Sequence, residues 1–484
     1  MPFKSAVVAT LAAGLPMLFN SVPFFLLLVP TLLLYYVPFM QRFQLHVIIA
    51  ASFIFYAYNM PWLLLLLIVS LGINTLASHA VVFGRADRRK MYATVGVTLN
   101  LVVLILFKYS PLIGRSFFEG SGIGEFLIAI PLPVGISFFT FQGISLVVDA
   151  YRGKDVPDYA SIVVKGMWEH TLRISTFIAF FAQLVAGPVV KAHEFLPQVR
   201  TKYFKDIAWN SAFASLVVGY FLKMVVADNL KDQTFWITFP YFKDMHSITL
   251  LVLLFGYSMQ IFADFAGYSL IAIGLARLFG YILMDNFDFP YIAATFSEFW
   301  RRWHISLSSF LREYLYIPLG GNRMGGFHTY KNLMITMVLG GLWHGAAWSY
   351  AVWGFFHGLV LALERLTKDL GWSMKGKVPR FLHMLFIFTS VTFAWLLFKL
   401  PEFDHVIVYV RMLLQNTDIP NIQPIIIFFT ALFSVPVVAY HLLYLWTREP
   451  RPIVARIKPI VYGGMLFLIL VNSGGGASFI YFQF

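Results

Sequence analysis

The sequence predicts an all-α polytopic membrane protein, and three observations lead to that prediction. The chain of 484 residues is 59% hydrophobic and only 12% charged, whereas soluble proteins have about 25% charged residues. Its mean hydropathy is +0.74. Apolar runs long enough to cross a bilayer as helices, about 20 residues each, recur along the chain. Because no polar stretch is long enough to fold separately, residues 17–484 are predicted to form a single integral-membrane domain.

The charge balance and the lack of cysteine narrow the possible functions. The chain carries 36 Lys and Arg against 23 Asp and Glu, a formal net charge of +13. In a membrane protein this excess indicates basic cytoplasmic loops, with membrane lipids or an anionic substrate as further explanations. The basic residues lie in short loops, so nucleic-acid binding is disfavoured. With no cysteine in the sequence, disulfides, thiolate metal sites and a cysteine nucleophile are excluded.

The first part of the chain sets the predicted orientation. Residues 1–16 are interpreted as an N-terminal extension, because their apolar run is short for a signal peptide. Apolar spans follow at 22–39, 46–58 and 62–83. The loop GRADRRK at 84–90 has four basic residues against one acidic residue, so it is predicted to face the cytoplasm. The two spans before it then form a hairpin, and the N-terminus lies outside.

Glycine or proline interrupts several of the later apolar stretches. These are predicted at 94–107, 131–153, 174–190, 211–226, 249–279, 379–398, 424–445 and 460–471. Irregular backbone at membrane depth must be buried or line a cavity, so 131–153 is either a re-entrant cavity wall or an interfacial loop leading into a helix. Gly187–Pro188 predicts a kink or a helix end. In all, roughly eleven to thirteen membrane elements are expected at about 20 residues per full span, some of them re-entrant.

Polar side chains interrupt the stretch 249–279, which is longer than one span of about 20 residues. Gln260, Asp264 and Tyr268 are candidates to line a substrate tunnel. Asp264 either faces such a tunnel or is a structural charge with a partner. The structural role is favoured for this carboxylate, since an isolated acid within a membrane needs a partner.

Two histidines, each preceded by a tryptophan, give the sharpest functional signal in the chain. The pairs are Trp303–His304 and Trp343–His344, and a titratable group in membrane-grade sequence is a functional candidate. His344 lies among glycines and small residues that let a ligand or a second backbone approach. A buried neutral imidazole there could take a proton from a substrate hydroxyl. The alternative is a histidine that only hydrogen-bonds across a helix interface, the role also assigned to His357.

The segment around the first histidine is predicted to form one amphipathic helix over 298–316, with His304 at the edge of its apolar face. Three arginines, Arg301, Arg302 and Arg312, lie on the rest of its circumference. They would bind either lipid phosphate or the phosphates of a substrate, because the guanidinium group suits phosphate recognition.

Motifs of several other chemistries do not occur in the chain. The sequence contains no GxSxG, HExxH or P-loop pattern, which disfavours a serine-hydrolase elbow, a zincin and a nucleotide-binding loop. A zinc site built on His304 and His344 has no third ligand close in sequence, so no metal is expected.

The two histidine segments, FWRRWHISLSSFLREYLYIPLGGNR and LGGLWHGAAWSYAVWGFFHG, closely resemble the membrane-bound O-acyltransferase family. Within the family they are most similar to the bacterial branch of alginate and polysaccharide acetylation. Further matching stretches are LPVGISFFTFQGISLVVDAYRG, QLVAGPVVK, FADFAGYSLIAIGLARLFGY and the terminal FIYFQF. The resemblance covers nearly the whole chain after residue 17, and its paired Trp-His motifs are highly specific.

The resemblance implies a helical bundle around a transmembrane tunnel, with a catalytic core at about 131–365. His344 corresponds to the catalytic histidine, and His304 assists it from the opposite side of the tunnel. Candidates to line the tunnel or bind substrate are Trp303, Trp343, Arg301, Arg302, Arg312, Asp264, Tyr268 and Gln260.

The resemblance further implies an O-acetyltransferase of the bacterial inner membrane. Its donor would be a cytoplasmic acyl thioester, acetyl-CoA or another, used as a substrate with no bound cofactor. Its acceptor would be an exported, alginate-like polysaccharide, reached directly or through periplasmic or surface partner proteins. One departure from the family pattern is DFAGYSL, where Leu270 stands in the place of an aspartate, so no role of that acid carries over.

Two other classes of function remain open from the sequence. A transporter or flippase would also use broken helices and polar groups at the membrane midplane, but the sequence shows no internal repeat. A scaffold that anchors a surface-polymer complex is the third possibility. Formation of an acyl ester by the purified chain separates the enzyme from both.

Overall fold

The computed structural model describes residues 17–58, 60–185, 187–370, 379–418, 420–446 and 452–474. Within these ranges all regular structure is helical, and the predicted all-α class is confirmed. The predicted extension 1–16 and the terminal FIYFQF stretch lie outside the described residues.

Twenty-two α-helices are assigned in the described ranges. In chain order they are α1 Val22–Tyr36, α2 Gln44–Ala57, α3 Leu63–Phe83, α4 Arg89–Leu104, α5 Ser110–Phe117, α6 Gly122–Ala129, α7 Ile136–Arg152, α8 Met167–Ala179, α9 Phe181–Leu184, α10 Ala192–Phe195, α11 Trp209–Tyr220, α12 Asp228–Thr234, α13 Ser247–Leu278, α14 Phe296–Arg302, α15 Ile305–Leu311, α16 Gly326–His344, α17 Trp348–Asp369, α18 Arg380–Ala394, α19 Leu396–Lys399, α20 Phe403–Gln415, α21 Pro424–Trp446 and α22 Pro452–Val471.

Six helical stretches in the described part of the chain are long and apolar enough to cross a membrane. They are Leu63–Phe83, Ala86–Phe117, Trp209–Ile237, Ser247–Leu278, Arg380–Lys399 and Pro424–Trp446. A seventh span is possible where Val22–Tyr36 and Pro38–Ala57 form a pair bent by 104°. The chain is therefore a multi-pass membrane protein, and the larger number of eleven to thirteen membrane elements stays a prediction.

The chain divides into two compact units. The first comprises the described residues of Met1–Leu216 and Ile271–Met284, and the second those of Val217–Leu270 and Asp285–Phe484. The single domain predicted over 17–484 stays a prediction.

Helices α3, α4 and α7 pack together in the first unit around a pair of buried amides. Asn74 and Asn100 exchange hydrogen bonds of 3.2 and 2.8 Å through their side chains. Gly143 of α7 lies against Asn74, where a side chain would overlap the amide. The stretch predicted at 131–153 is thus a loop followed by a buried helix, and both interpretations of its place in the membrane stay predictions.

The break predicted at Gly187–Pro188 is confirmed, but the span predicted at 174–190 is wrong. Helix α8 ends at Ala179, and only the four-residue α9 follows before irregular backbone. That backbone is held in place by Asp149 of α7, whose carboxylate accepts hydrogen bonds from the His193 main-chain N–H at 3.3 Å and from its Nδ1 at 2.8 Å.

The ion pair of His193 with Asp149 predicts a pH-dependent stability. The hydrogen bond to Asp149 raises the pKa of His193 above its ordinary 6.5, outweighing the opposing effect of burial. A raised folded-state pKa adds stability that is fully present below 6.5 and is lost as the pH rises through the raised value. We expect the apparent Tm to fall by about 1–3 °C over that rise. The loss should be absent in His193→Gln, and identical pH profiles of the two proteins would contradict the pairing.

The stretch 249–279, predicted to be longer than one span, falls almost entirely within one continuous helix, α13. This helix has 32 residues and is roughly 48 Å long at 1.5 Å per residue. The helix is uninterrupted because it contains no proline, and Gln260 and Asp264 have partners inside the protein.

Candidate active site

The first histidine lies at a break between two short helices, and the single helix predicted over 298–316 is wrong. Helix α14 ends at Arg302 and α15 begins at Ile305, with Trp303 and His304 between them. His304 has φ 45° and ψ 54°, a left-handed conformation that no α-helix interior allows. The sequence suggested one helix because α15 also has a buried face, so the amphipathic pattern continues past the break.

Asn286 fixes the tautomer of His304. The Asn286 side-chain oxygen accepts hydrogen bonds from the Ser306 main-chain N–H at 3.3 Å and from the Ser306 hydroxyl at 2.8 Å. The same oxygen lies 3.1 Å from His304 Nδ1. Because a carbonyl oxygen only accepts, Nδ1 must carry the proton and donate it. The other ring nitrogen, Nε2, then keeps its lone pair, and it is buried with no hydrogen-bond partner among the described residues.

Burial keeps this histidine neutral. His304 is fully buried, and burial lowers its pKa to about 3. An uncharged imidazole with an open Nε2 is a hydrogen-bond acceptor at physiological pH.

The second histidine ends α16 at a close approach of two helices. His344 is the last residue of α16, and α17 begins at Trp348. Gly341 faces α17 so closely that a Cβ there would lie 2.9 Å from the Gly354 Cα. The small residues around His344 therefore serve backbone contact, one of the two roles predicted for them.

The two imidazoles face each other within an aromatic enclosure. Their ring centroids are 6.1 Å apart. Trp343 lies 5.9 Å from the His304 ring and 5.1 Å from the His344 ring. Trp353 and Phe398 pack at 5.3 and 5.1 Å against His344. His304 and His344 are therefore neighbours in surroundings of low polarity, and the tunnel predicted between them stays a prediction.

A cavity of about 200 Å³ in the second unit reaches His344. Its wall is apolar over most of its extent, with helices α14 to α17 contributing. The lining residues that argue for a substrate path are His344 and Trp353 at one part of the wall and Arg312 at another. Gly340 also lines the cavity, where a Cβ would lie 2.9 Å from Leu311 Cδ1, so the space beside α16 depends on this glycine.

The predicted arginines differ in their surroundings. Arg302 makes ion pairs with Asp288 at 3.0 Å and Glu298 at 3.1 Å, which ties α14 to the preceding loop. Arg301 is exposed. Arg312 lies on the cavity wall and is exposed. Among the three, Arg312 is the one placed to meet an anionic group of a molecule in the cavity.

Trp303 packs inside the protein rather than on the cavity wall. It is 1% exposed, stacks on Phe299 with centroids 5.7 Å apart, and contacts Trp395 and Phe287 at 5.0 Å each. Packing of Trp303 therefore stabilises the backbone at the break between α14 and α15, next to His304.

Helix α13 has two functional faces. Phe265 packs edge-on against the His304 ring at 4.6 Å, and the hydroxyl of Ser269 accepts a 3.1 Å hydrogen bond from the Asn286 amide. Residues 260, 264 and 268 recur at four-residue steps and share a different face. The three predicted tunnel residues of α13 thus turn away from the face that supports His304.

The polar face of α13 contacts a buried lysine. Lys223 Nζ lies 2.6 Å from Asp228 and 2.8 Å from Asp264, and 5.4 Å from the centre of the Tyr268 ring. Gln260 accepts a hydrogen bond from the Thr234 hydroxyl. The structural role favoured for Asp264 is confirmed.

The supporting residues Asn286, Ser269 and Ser306 were not found from the sequence. Asn286 lies 18 residues before His304, in a loop without helical periodicity. The one hint in the sequence is an amide side chain, Asn286, within the mainly apolar run YILMDNFDFP. This hint does not show that the amide binds His304.

Comparisons with known proteins identify the family of this chain. The model of the membrane-bound O-acyltransferase family matches residues 125–400. The chain belongs to this family. The matched region contains both histidines and the cavity, and the protein is accordingly an O-acyltransferase.

Relatives in the family act on bacterial polymers. A probable alginate O-acetylase of Azotobacter vinelandii is 36% identical over 397 residues, covering 80% of this chain and 76% of the relative. A probable alginate O-acetylase of Pseudomonas aeruginosa is also 36% identical, covering 79% and 72%. A peptidoglycan O-acetyltransferase of Helicobacter pylori is 32% identical, covering 74% and 71%.

The Asn286 contact predicts that this O-acyltransferase needs one tautomer of His304. Asn286→Ala removes the acceptor that holds the Nδ1 proton, and we expect roughly a tenfold loss of kcat from the lost hydrogen bonds. Asn286→Asp keeps an acceptor and should retain more activity. Its carboxylate would raise the pKa of His304, so the acid limb of the pH–rate profile should move to higher pH. Equal rates and unshifted profiles in both variants would show that Asn286 only packs.

Proposed function

We propose that this membrane-bound O-acyltransferase moves an acetyl group from acetyl-CoA, or another cytoplasmic acyl thioester, to hydroxyls of an exported polysaccharide. The observation that supports the proposal most directly is the cavity that reaches the buried imidazole of His344. Alginate and peptidoglycan, the polymers named for the relatives, both present free hydroxyls. Alginate-like polysaccharide is the acceptor we infer first, because the alginate O-acetylases have the higher identities.

His344 is the general base in this proposal. Its imidazole takes the proton of the acceptor hydroxyl while that oxygen attacks the thioester carbonyl carbon. The carbon–sulfur bond then breaks, the acyl group remains on oxygen as an ester, and the leaving thiolate takes the proton from the imidazolium of His344, which becomes neutral again. A positioned general base contributes about 10²–10⁴-fold to such a step.

His304 positions the acceptor. Its Nε2 carries a lone pair, so it can accept a hydrogen bond from a second hydroxyl of the saccharide. Two acceptor nitrogens in one enclosure fit a sugar with neighbouring hydroxyls, because one hydroxyl is held while the other loses its proton. Trp343, which packs beside both rings, keeps water away from the reacting groups.

Arg312 is the residue we assign to the phosphates of the donor. It lies on the wall of the cavity that reaches His344, and guanidinium groups recognise phosphate well. We place the enzyme in the bacterial inner membrane and propose that it forms the ester on the saccharide itself, with periplasmic or surface proteins assisting transfer to the exported chain in the cell.

The test uses the purified full chain in proteoliposomes with acetyl-CoA labelled on the acetyl group. Alginate oligosaccharides and peptidoglycan fragments are offered as separate acceptors. The proposal expects an alkali-labile label on the saccharide, with a stronger signal on alginate. Donor that stays intact with every saccharide, or saccharide that crosses the bilayer without gaining an ester, would refute it.

A further inference from the structure

The first unit contains a second cavity, separate in sequence from the histidine segments. It has a volume of about 480 Å³ and is lined by residues of 200–208 and 277–282. Three cations, Arg200, Lys202 and Arg277, face one carboxylate, Asp206, in this lining. The proposed acyl-transfer mechanism uses none of these groups.

Lys202 is built into the wall of this basic pocket. The Gln44 side chain holds its backbone, donating to the Lys202 carbonyl at 2.8 Å and accepting from its N–H at 2.9 Å. The lysine side chain passes over Gly280, where a Cβ would lie 3.0 Å from Lys202 Cδ. Its ammonium then lies 4.6 Å above the centre of the Tyr281 ring. Lys202 is 8% exposed, so its charge is fixed at the pocket instead of moving in solvent.

The cations of the basic pocket have mainly neutral partners. Arg277 Nη1 donates to the Ser215 hydroxyl at 2.6 Å and to the Ser211 carbonyl at 3.2 Å. Among the described residues, no carboxylate lies within 4.0 Å of Arg200, Lys202 or Arg277. Burial and the charge of Arg200 lower the pKa of Lys202 to about 8. A bound anion would offset the repulsion that these charges exert on one another.

The basic pocket lies where two candidate spans end. The span Trp209–Ile237 begins just after residue 208, and the span Ser247–Leu278 ends beside Gly280. Around the pocket, Phe204 and Ile282 are 58% and 70% exposed. Exposed aromatic and aliphatic side chains at span ends are typical of the membrane interface, where basic groups meet anionic headgroups.

We propose that the basic pocket binds a phosphate-bearing group through Arg200, Lys202 and Arg277. Three cations around one cavity match a phosphate, which accepts several charge-assisted hydrogen bonds. Two sources present this chemistry at a membrane surface, the headgroup of an anionic phospholipid and the phosphates of coenzyme A. The position at the span ends favours the phospholipid.

The experiment measures binding to the purified full chain with no acceptor present, so its result does not depend on acyl transfer. One arm titrates phosphatidylglycerol, with phosphatidylcholine as the zwitterionic reference, and counts retained lipids by native mass spectrometry. The other arm measures retention of labelled coenzyme A in detergent. Saturable retention in either arm that depends on the pocket cations supports the proposal and identifies the source.

The variants separate the basic pocket from general surface charge. Arg200→Gln changes an exposed side chain, so folding should be preserved, and binding should weaken about fivefold, as expected for ~1 kcal/mol per cation near a membrane surface. Lys202→Gln should weaken it at least as much. Lys205→Gln is the matched control, because Lys205 lies on the same segment but outside the pocket lining. Equal effects of Arg200→Gln and Lys205→Gln, or no saturable retention of either probe, would overturn the proposal.

Discussion

Replacing His344 with alanine is expected to lower acyl transfer by about 10²–10⁴-fold, the contribution of a positioned general base. The imidazole ends α16 beside the cavity, and its ring contacts are with Trp343, Trp353 and Phe398. Alanine at this position removes the base that we assign to the hydroxyl proton, while His304 keeps its positioning role. The measurement is the O-acetyl content of polysaccharide made by membranes containing equal amounts of each protein.

The control for His344→Ala is His328→Ala. His328 lies near the opposite end of the same helix α16 and is not part of the cavity lining, so its variant should keep wild-type transfer. His344→Gln should be as inactive as His344→Ala, because an amide fills the space but cannot take a proton. Wild-type transfer by His344→Ala would contradict the assignment of the base.

Replacing Lys223 with methionine is expected to destabilise the second unit by about 3–5 kcal/mol, the cost of breaking a buried ion pair by removing one partner. Lys223 is 2% exposed, and Asp228 and Asp264 are equally inaccessible at 2% and 3%. Methionine would leave two carboxylates facing each other in an apolar span. The fraction of monodisperse protein after detergent extraction, and its apparent Tm, measure the effect.

A compensating variant distinguishes charge from volume at Lys223. The triple variant Lys223→Met, Asp228→Asn, Asp264→Asn removes all three charges and should recover much of the lost stability. Lys331→Met, at an exposed position of α16, is the surface control and should change little. If Lys223→Met alone matched the wild-type Tm, the buried triad would not hold these helices together.

Local sequence predicted the helical membrane class and the two histidines, because both depend on composition or on adjacent residues. It failed at His304. The left-handed backbone there depends on Asn286, which accepts from Ser306 while its own carbonyl accepts from the Ile305 N–H at 3.0 Å. A contact from 18 residues away overrides the helical pattern, and no periodicity analysis includes such a partner.

The sequence predicts that the arginines and the polar residues of α13 bind substrate or line a tunnel, but the structure shows two of these residues in ion pairs inside the protein. Arg302 is committed to Asp288 and Glu298, and Asp264 to Lys223. Burial of charge predicts that a partner exists, but the partner's identity follows from tertiary packing. The sequence pattern does not show which arginine lies near His344. The structure does, because Arg312 and His344 line the same cavity.

Ester formation by the reconstituted chain tests the central claim most directly. Proteoliposomes containing wild-type protein or His344→Ala are supplied with acetyl-labelled coenzyme A thioester and alginate oligosaccharides, and the label on the saccharide is followed over time. We predict that the wild type forms an alkali-labile ester at a rate at least about 100-fold above that of His344→Ala. Equal ester formation by the two proteins, or saccharide recovered unmodified from the wild type, would contradict a base at His344 in an acyl-transfer site.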